Sequence, residues 1–379
     1  MKKFRTVLFV LLACFCACTK DKKPQITNIV GYDNPMRENG EGIKYLDFYV
    51  TKLDAPSEID ISSIQKIDFL DDYIIVQNTK GVYCFDKDGK FIRQYGTKGH
   101  GPGEYVQVGG MIVNDNKKTI SIYDSYSCSL NNYSVDGKYL TTKRLKTDAL
   151  NLMFSGEYYD EDNLFVNYFL YKSQKLAFAL CDMETFERSG VKSYDMSAST
   201  SAERSGMHAY DIRDGVVKYV LPFKNEVYCY NMQDSFPIYL VQTKKDILDS
   251  DELLKKEYHS TINFDYIQNE DIFLGFNDIF EMESYIFLNT LYNSYFLVNK
   301  ETMIGQRYSN FNFEINPLKY LPILNICAES NGYLVGVVNS DELEMLEFED
   351  NNTDKFLNIL KQCADNKEDE KIYLLHYKI

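Results

Sequence analysis

A phrase of about fifty residues recurs six times along this chain, and the repeat constrains the fold more than any other sequence feature. Each copy has a polar turn, an apolar strand, a short break, a second strand, a two-residue turn and a third strand. The clearest copies are Asp71 to Tyr95 and Thr119 to Leu140, and further copies begin at Asn163, Val216, Ser284 and Ile323. Such units predict an all-β six-bladed β-propeller, because only a closed ring of blades buries both faces of every sheet.

The turn before the third strand is the strongest local signal. Asp88-Gly89 and Asp136-Gly137 lie between apolar runs, and each pair is followed by a lysine and an aromatic residue. Glycine takes the positive φ that a primed two-residue hairpin requires. The third to fifth copies lack this turn, so their blade boundaries stay open, and residues 244–271 predict an inserted loop with a helix. A pair of β-sandwiches is the alternative fold, which explains the strands but not the recurring phrase.

The C-terminal part departs from the repeat. Apolar residues at helical spacing in 341–348 and 355–363 predict a helical insertion at about 340–365 in the last blade. A closing strand is predicted over 371–379. This strand, or an N-terminal strand such as Glu58–Ile61, is expected to complete a shared blade and hide its edge.

The first residues have the pattern of an export signal. Lys2, Lys3 and Arg5 precede an apolar run over 7–13, which is too short to remain as a membrane-spanning helix. Three cysteines follow within five residues, and the sequence then becomes abruptly polar at Thr19. This pattern predicts a lipoprotein signal peptide, and an ordinary cleaved signal is the alternative.

We expect lipidation at Cys18, with Cys14 as the alternative. Alanine precedes both cysteines, but cleavage before Cys18 gives a fuller apolar region and leaves a polar sequence directly after it. A lipidated N-terminal cysteine carries several acyl chains, and more than one chain is what stable anchoring requires. The sequence therefore predicts an exported protein that is lipid-anchored to the bacterial envelope, at the outer membrane.

The chain divides into three parts on this interpretation. Residues 1–17 are the signal peptide, residues 18–55 are a tether and N-terminal edge segment, and residues 56–379 are the propeller. No later apolar run is long enough to span a bilayer, so the lipid is the only predicted membrane contact.

Composition excludes some partners. The formal net charge is −15, with no clustered Lys/Arg stripe, which argues against nucleic acid and against docking to anionic lipid headgroups. Six cysteines follow the signal, and they are far apart inside apolar strand-like runs, which predicts buried free thiols rather than a disulfide framework. We expect a monomer, with an envelope protein, a peptide or a glycan as the partner.

The glycine-rich run from Gly96 to Tyr105 is the first candidate for ligand contact. It lacks the Gly-Lys-Ser/Thr ending of a phosphate loop, so it is interpreted as the link from one blade to the next. Such a link lies on a face of the ring that carries a channel mouth, and its polar side chains are candidates for binding: Lys98, His100, Glu104 and Tyr105.

A second candidate group lies in the polar stretch 197–214. Long loops often carry function, which makes His208 a candidate, and Arg204 and Arg213 flank it and could pair with a carboxylate or a sugar acid. The four histidines share no metal-ligand spacing, and no catalytic motif or calcium loop is visible. No catalytic residue, metal ligand or cofactor is therefore assigned.

The run Gly-x-Gly-Pro-Gly-Glu-Tyr ending at Tyr105, after the Asp-Gly-Lys-Phe-Ile-Arg hairpin ending at Arg93, is typical of one family. The sequence resembles the six-bladed β-propeller lipoproteins of Bacteroides-type bacteria, which are related in shape to NHL-repeat and TolB-like propellers. This resemblance covers essentially the whole mature chain. It implies the fold and an envelope location, and it implies no activity.

Two functions are compatible with these features. The first is a non-enzymatic propeller that serves as a binding scaffold for a ligand or protein. The second is a hydrolase or lyase that acts on a glycan or peptide, with assistance from a metal as one option. Converging Asp, Glu and His side chains from several blades would favour the enzyme, and an aromatic or apolar channel mouth would favour binding.

Overall fold

The computed structural model describes residues 25–33, 46–144, 153–170, 175–195, 208–232, 235–243, 273, 275–290, 294–309, 326–344, 355–365 and 371–379. Their strands form six sheets arranged as a ring of blades, with one additional two-stranded ribbon. The predicted six-bladed β-propeller is confirmed. No described helix is long and apolar enough to cross a membrane.

The first three blades each contain four consecutive antiparallel strands. Blade 1 contains β3 (Lys66–Leu70), β4 (Tyr73–Gln77), β5 (Val82–Asp86) and β6 (Phe91–Tyr95). Blade 2 contains β9 (Val108–Asn114), β10 (Thr119–Asp124), β11 (Ser129–Ser134) and β12 (Tyr139–Arg144). Blade 3 contains β13 (Met153–Tyr158), β14 (Asn163–Leu170), β15 (Lys175–Asp182) and β16 (Arg188–Asp195). The ribbon between blades 1 and 2 contains β7 (Thr97–Lys98) and β8 (Glu104–Tyr105).

The N-terminal part of the chain contributes strands to two of the other three blades. Blade 4 contains β17 (Tyr210–Arg213), β18 (Val216–Val220), β19 (Glu226–Tyr230), β20 (Ser235–Val241) and β1 (Thr27–Ile29). Blade 5 contains β21 (Phe276–Glu281), β22 (Tyr285–Thr290), β23 (Ser294–Asn299) and β24 (Ile304–Ser309). Blade 6 contains β25 (Ile326–Ser330), β26 (Tyr333–Asn339), β27 (Ile372–Lys378) and β2 (Asp47–Leu53).

The predicted hairpins form at both sites, but the turns are not the primed two-residue turns that the sequence predicts, because neither Asp88 nor Asp136 has a positive φ. In each turn only the glycine has a positive φ, and it closes a three-residue loop. Gly89 and Gly137 have φ of 85° and 84°, the positive values that glycine adopts at low steric cost. In the first turn the Asp86 carboxylate accepts backbone hydrogen bonds from Asp88 and Lys90. These bonds fix the register of β5 against β6.

The core lies between neighbouring blades. Apolar side chains from the facing sheets of blades 1 and 2 pack into one cluster that includes Tyr95, Tyr105, Ile122 and Tyr133. The first strand of each blade lies nearest the centre of the ring, since β3 contacts both β25 and β9, and β17 contacts β21. Side chains on the inner face of these strands therefore line a central channel.

Blade 6 closes the ring with strands from both ends of the chain. The predicted closing strand is present as β27, which pairs with β26 on one side and with β2 on the other. The helical insertion in this blade is also confirmed, as α1 (Ser340–Glu344) and α2 (Lys355–Asp365) between β26 and β27. The N-terminal partner is β2 rather than Glu58–Ile61, where the backbone turns and Ile59 N donates to Pro56 O.

Residues 25–33 form an N-terminal strap across blades 4 and 5. In this strap β1 pairs in parallel with β20 of blade 4, and Val30 then bridges to Ile304 of blade 5. Ile29 and Tyr32 are buried in the core between the two blades. The ring of Tyr32 lies 4.6 Å from that of Phe273, measured between centroids. The strap therefore joins two neighbouring blades at their outer edges.

The six described cysteines are free, as predicted. Only Cys84 is fully buried, and the others are half-buried. The inserted loop predicted at 244–271 lies outside the described residues.

Candidate functional site

The central channel holds a cavity of ≈130 Å³ that is partly open to solvent. Its walls come from the first strands of blades 1, 3, 4, 5 and 6 and from the residues next to them. The polar and charged side chains that line it are Lys66, Asp68, Glu157, His208, Tyr210, Asp211, Arg213 and Glu329. Carboxyl, imidazole and cationic groups from separate parts of the sequence thus meet at one place.

Blade 1 supplies an ion pair on the cavity wall. Charged and apolar residues alternate in β3, so Lys66 and Asp68 face the channel while Ile67 is buried in the core between blades 1 and 6. The ammonium of Lys66 lies 3.0 Å from the Asp68 carboxylate and donates to Met111 O at 3.3 Å. The Lys66 charge is therefore largely satisfied by protein groups.

Blade 4 supplies the second cation. Arg213 donates from Nη2 to Glu329 Oε2 of blade 6 at 2.9 Å, and its Nε lies 3.9 Å from Asp211 Oδ1. The other oxygen of Glu329 accepts a hydrogen bond from Gly332 N. Burial raises the pKa of Asp211 to about 6, against the opposing effects of a hydrogen bond from Glu281 N and of the Arg213 charge.

Glu157, near the end of β13, differs from the other charged residues of the cavity. It makes no hydrogen bond to any residue that the structure describes, and its side chain is exposed where it lines the cavity. It nevertheless lies deep inside the ring, and this partial desolvation raises its pKa to about 8. Lys66 opposes the rise, whereas Asp68 and Asp211 add to it. At neutral pH Glu157 is therefore mostly protonated.

His208 lies at the cavity wall just before β17. Its backbone N donates to Asp278 Oδ1 at 3.1 Å, and its ring lies 4.9 Å from that of Phe280. Burial, and then the Lys66 charge, lowers the pKa of His208 to about 3. The imidazole is consequently neutral at physiological pH, and its Nε2 has no hydrogen-bond partner among the described residues.

The structure brings two of the sequence-predicted candidates together and places four elsewhere. His208 and Arg213 both line the cavity. Lys98, His100, Glu104 and Tyr105 do not line it, and they belong to the link between blades 1 and 2. Arg204, Cys14 and Cys18 lie outside the described residues. Ligand contact by the link residues stays a prediction.

Residues of the link between blades 1 and 2 are hydrogen-bonded to one another and to the two blades on either side. The Glu104 carboxylate accepts a hydrogen bond from Gly101 N at 2.7 Å, and Tyr105 Oη accepts one from Gln94 at 3.0 Å. Tyr133 of blade 2 donates to Gly103 O at 2.6 Å. Of the four candidates in the link, Lys98 and His100 are the two with exposed side chains.

Sequence reasoning missed five of the charged residues that line the cavity: Lys66, Asp68, Glu157, Asp211 and Glu329. A signal for them exists, because each lies in the first strand of its blade, next to apolar residues that face the core. In the first five copies the repeat is recognised from the later strands of the blade, and the sixth copy reaches the first strand only at Ile326, so these residues were not identified. Among the described residues no group of three His, Cys, Asp or Glu has a geometry that could hold a metal ion.

Comparisons with known proteins agree with this architecture. Residues 51–374 match the family described as Domain of unknown function (DUF4934), and no curated protein matches the chain. A Bacteroides fragilis protein described as exported has a similar structure, with 18% sequence identity and a TM-score of 0.68, over 94% of this chain and 99% of that one. A member of the DUF4221 family from Bacteroides vulgatus has 10% identity and a TM-score of 0.53, over 90% and 99% of the two chains. At these identities the likeness shows the fold alone.

Proposed function

The chain belongs to the DUF4934 family, and we propose a function for it from the geometry of its cavity. We propose that the protein is an exported, lipid-anchored propeller that binds a small cationic group in its central channel. The observation that carries this proposal is the carboxyl of Glu157, which has no hydrogen-bond or ion-pair partner among the described residues, whereas the two described cations of the cavity already have carboxylate partners. A ligand can satisfy Glu157 without breaking either ion pair.

The charge balance of the cavity favours a cation over an anion. Lys66 and Arg213 face three carboxylates, those of Asp68, Asp211 and Glu329, before Glu157 is counted. Ionisation of Glu157 increases the excess of negative charge. An ammonium or guanidinium group beside Glu157 stabilises the carboxylate and lowers its pKa. Binding of the cation therefore releases a proton from Glu157, and affinity rises with pH up to about 8 for a ligand that itself stays protonated over that range.

The size of the cavity limits how much of a ligand it can enclose. A volume of ≈130 Å³ corresponds to about four water molecules. It can enclose an amine and a few attached atoms, while the rest of the molecule remains in the channel mouth. The amine of an amino sugar in a glycan and the N-terminal amine of a peptide both fit this description.

The envelope assignment is supported by the N-terminal sequence. Lys2, Lys3, the short apolar run and the cysteines have the order of a lipoprotein signal, with Cys18 as the proposed lipidated residue and Cys14 as the alternative. We propose on this basis a monomeric NHL- or TolB-like propeller at the outer membrane, with an envelope protein, a peptide or a glycan as its partner.

A thermal-shift comparison of glucosamine with N-acetylglucosamine tests the binding proposal, because the two sugars differ by a blocked amine. The chain from Thr19 onward is heated with each sugar at pH 5.5 and pH 7.0, where the amine of glucosamine stays protonated. We expect glucosamine to raise Tm by a few degrees at a concentration about a hundredfold above its Kd, and N-acetylglucosamine to leave Tm unchanged. The affinity is expected to fall about tenfold for each pH unit below the pKa of Glu157.

The variant Glu157→Gln is the matched control, since it keeps the size of the side chain and removes its charge. It should abolish both the glucosamine shift and its pH dependence, while Glu104→Gln in the blade link should keep both. Equal shifts with the two sugars, or a shift that survives Glu157→Gln, would contradict the assignment of this site.

The second candidate function is that of a hydrolase or lyase. One observation favours it: the pKa values of Glu157 and Asp211 are both raised, to about 8 and about 6. An ionised Asp211 above pH 6 and a protonated Glu157 below pH 8 could act as base and acid in a hydrolase or lyase. With 4-nitrophenyl glycosides or peptides as substrates, the rate of this enzyme would depend on pH as a bell-shaped curve, rising near pH 6 and falling near pH 8. Loss of turnover in both Glu157→Gln and Asp211→Asn would support it. Binding of amines without turnover of any substrate in the panel would favour the scaffold.

A further inference from the structure

The N-terminal strap fixes where the chain leaves the propeller. Strand β1 pairs with β20, the fourth strand of blade 4. The next residue, Val30, is hydrogen-bonded to blade 5, because its N donates to Met303 O and its O accepts from Gly305 N. Ile29 is fully buried, and Tyr32 is almost fully buried. The described chain begins at Gln25, only two residues before β1. The exit point is therefore held at the outer edge of blades 4 and 5.

The proposed lipid lies close to this edge along the chain. Only six residues separate Cys18 from Gln25, and the seven Cα-to-Cα steps of that segment reach at most about 25 Å when fully extended. The outermost strands on opposite sides of the ring are separated by roughly 30 Å or more, because each blade has four strands spaced about 4.8 Å apart. A tether this short favours contact between the membrane and the nearest edge of the ring.

Exposed apolar side chains lie at the exit point. Ile26 and Val30 of the strap are 45% and 40% exposed, and Ile304, which Val30 bridges, is 56% exposed. Aliphatic side chains of this kind insert into the boundary between lipid headgroups and acyl chains. Together these residues form an apolar edge, defined here as Ile26, Val30 and Ile304.

We propose that the apolar edge rests on the lipid bilayer, so that the propeller stands on the rim of blades 4 and 5. This inference rests on the lipid anchor of the proposed function and adds an orientation to it. The rim of a propeller runs around the channel axis, so a membrane that touches two neighbouring blades lies parallel to that axis. Both mouths of the channel then open sideways into solution, where a ligand reaches Glu157 without passing through the membrane surface.

The absence of tryptophan from the sequence allows a direct test. Ile304→Trp places a single tryptophan on the apolar edge, and its emission can be excited apart from that of the tyrosines. Leu140→Trp places one on β12, the outermost strand of blade 2, which lies across the ring from blade 5, at a site that is 48% exposed. The full-length lipidated variants are reconstituted into phosphatidylcholine vesicles with and without brominated acyl chains. We expect several-fold stronger quenching of Ile304→Trp than of Leu140→Trp.

Flotation of the vesicles distinguishes failure of the lipid anchor at Cys18 from failure of the proposed orientation. If the wild-type chain does not float with the vesicles, or floats equally well after Cys18→Ser, the anchor at Cys18 fails and the orientation falls with it. If the chain floats only with Cys18 present, but the two tryptophans are quenched equally, the anchor stands and the orientation is overturned. Val30→Trp provides a second reporter on the same edge and should be quenched like Ile304→Trp.

Discussion

The junction between blades 1 and 2 and the junction between blades 4 and 5 are closed by different parts of the chain. Between blades 1 and 2 the contacts are local, since Tyr95 Oη donates to Val135 O at 2.7 Å and Tyr133 Oη donates to Gly103 O. Between blades 4 and 5 the core is completed by Ile29 and Tyr32, from the far N-terminal end. A repeat that keeps its turn and link sequences closes its own junction, whereas a diverged repeat is closed by a distant segment.

The largest expected effect comes from removing the main side chain of the strap. Tyr32 packs against Phe273 and Phe296, with ring centroids 4.6 Å and 5.4 Å away, and Arg307 lies over its ring. Tyr32→Ala should cost about 4 kcal/mol in the free energy of unfolding, because it leaves a cavity in the core. Urea denaturation followed by circular dichroism measures this. Exposed Tyr126→Ala is the control, and equal losses in both variants would show that the strap does not close this junction.

The close approach of the strap to blade 5 is tested by a pair of glycines. Gly31 has φ +102°, and a Cβ there would lie 2.2 Å from Gly305 O, whereas Gly215 has φ +71° and open space around it. Gly215→Ala measures the backbone strain alone, about 1 kcal/mol. Gly31→Ala adds the steric clash, for a total of about 3 kcal/mol. Similar unfolding midpoints for the two variants would mean that the strap moves away from Gly305 without loss.

Acid should loosen the N-terminal segment at blade 6. His376 stacks on Tyr49 of β2, with ring centroids 4.0 Å apart, and its Nε2 lies 3.3 Å from Thr51 Oγ1. Burial lowers the pKa of His376 from 6.5 to about 4, so the folded state excludes a proton that the unfolded chain accepts. The stability from this group is complete above pH 6.5 and is lost as the pH falls towards 4, by roughly 2 to 3 kcal/mol.

The measurement is the urea midpoint of the wild type and of His376→Gln at pH 7.5 and pH 4.5. His208 contributes in the same direction and Glu157 in the opposite one, so only the difference between the two proteins reports His376. If the urea midpoint falls equally in both proteins between pH 7.5 and pH 4.5, protonation of His376 does not contribute to the loss of stability.

The smallest effect belongs to the self-closed junction. Tyr133→Phe removes one hydroxyl that donates to Gly103 O and leaves the ring in place. The loss should be about 1 kcal/mol, typical of one hydrogen bond. Tyr126→Phe at the surface is the control, measured in the same urea titration. A loss as large as that of Tyr32→Ala would make the two junctions equivalent.

Most of the architecture could be predicted from local sequence. Asp88-Gly89 and Asp136-Gly137 are turn signals with a direct steric cause, and the helical insertion has its own periodicity. The strap could not be predicted in the same way, because Thr27–Ile29 is only three residues long and gains its partner from a blade about 200 residues later.

The candidate site was only partly predictable for a related reason. His208 and Arg213 were found because they lie in a polar stretch, whereas Glu157 is a single charge in a short strand. Its significance depends on Asp68 and Asp211, which other blades place nearby. The neighbours of a channel side chain are set by how the blades close into a ring, and a local sequence pattern does not predict those neighbours.

Pairing between β2 and β27 has a consequence for how the chain folds. Lys52 and Tyr373 are partners in the same ladder, at opposite ends of the sequence. Contacts of such high contact order form slowly, because the loop between them must first be ordered. During synthesis the N-terminal strand emerges first, and its partner emerges last. The edges of β1 and β2 therefore stay unpaired for most of that time, and a holding chaperone should protect the nascent chain until its final residues arrive.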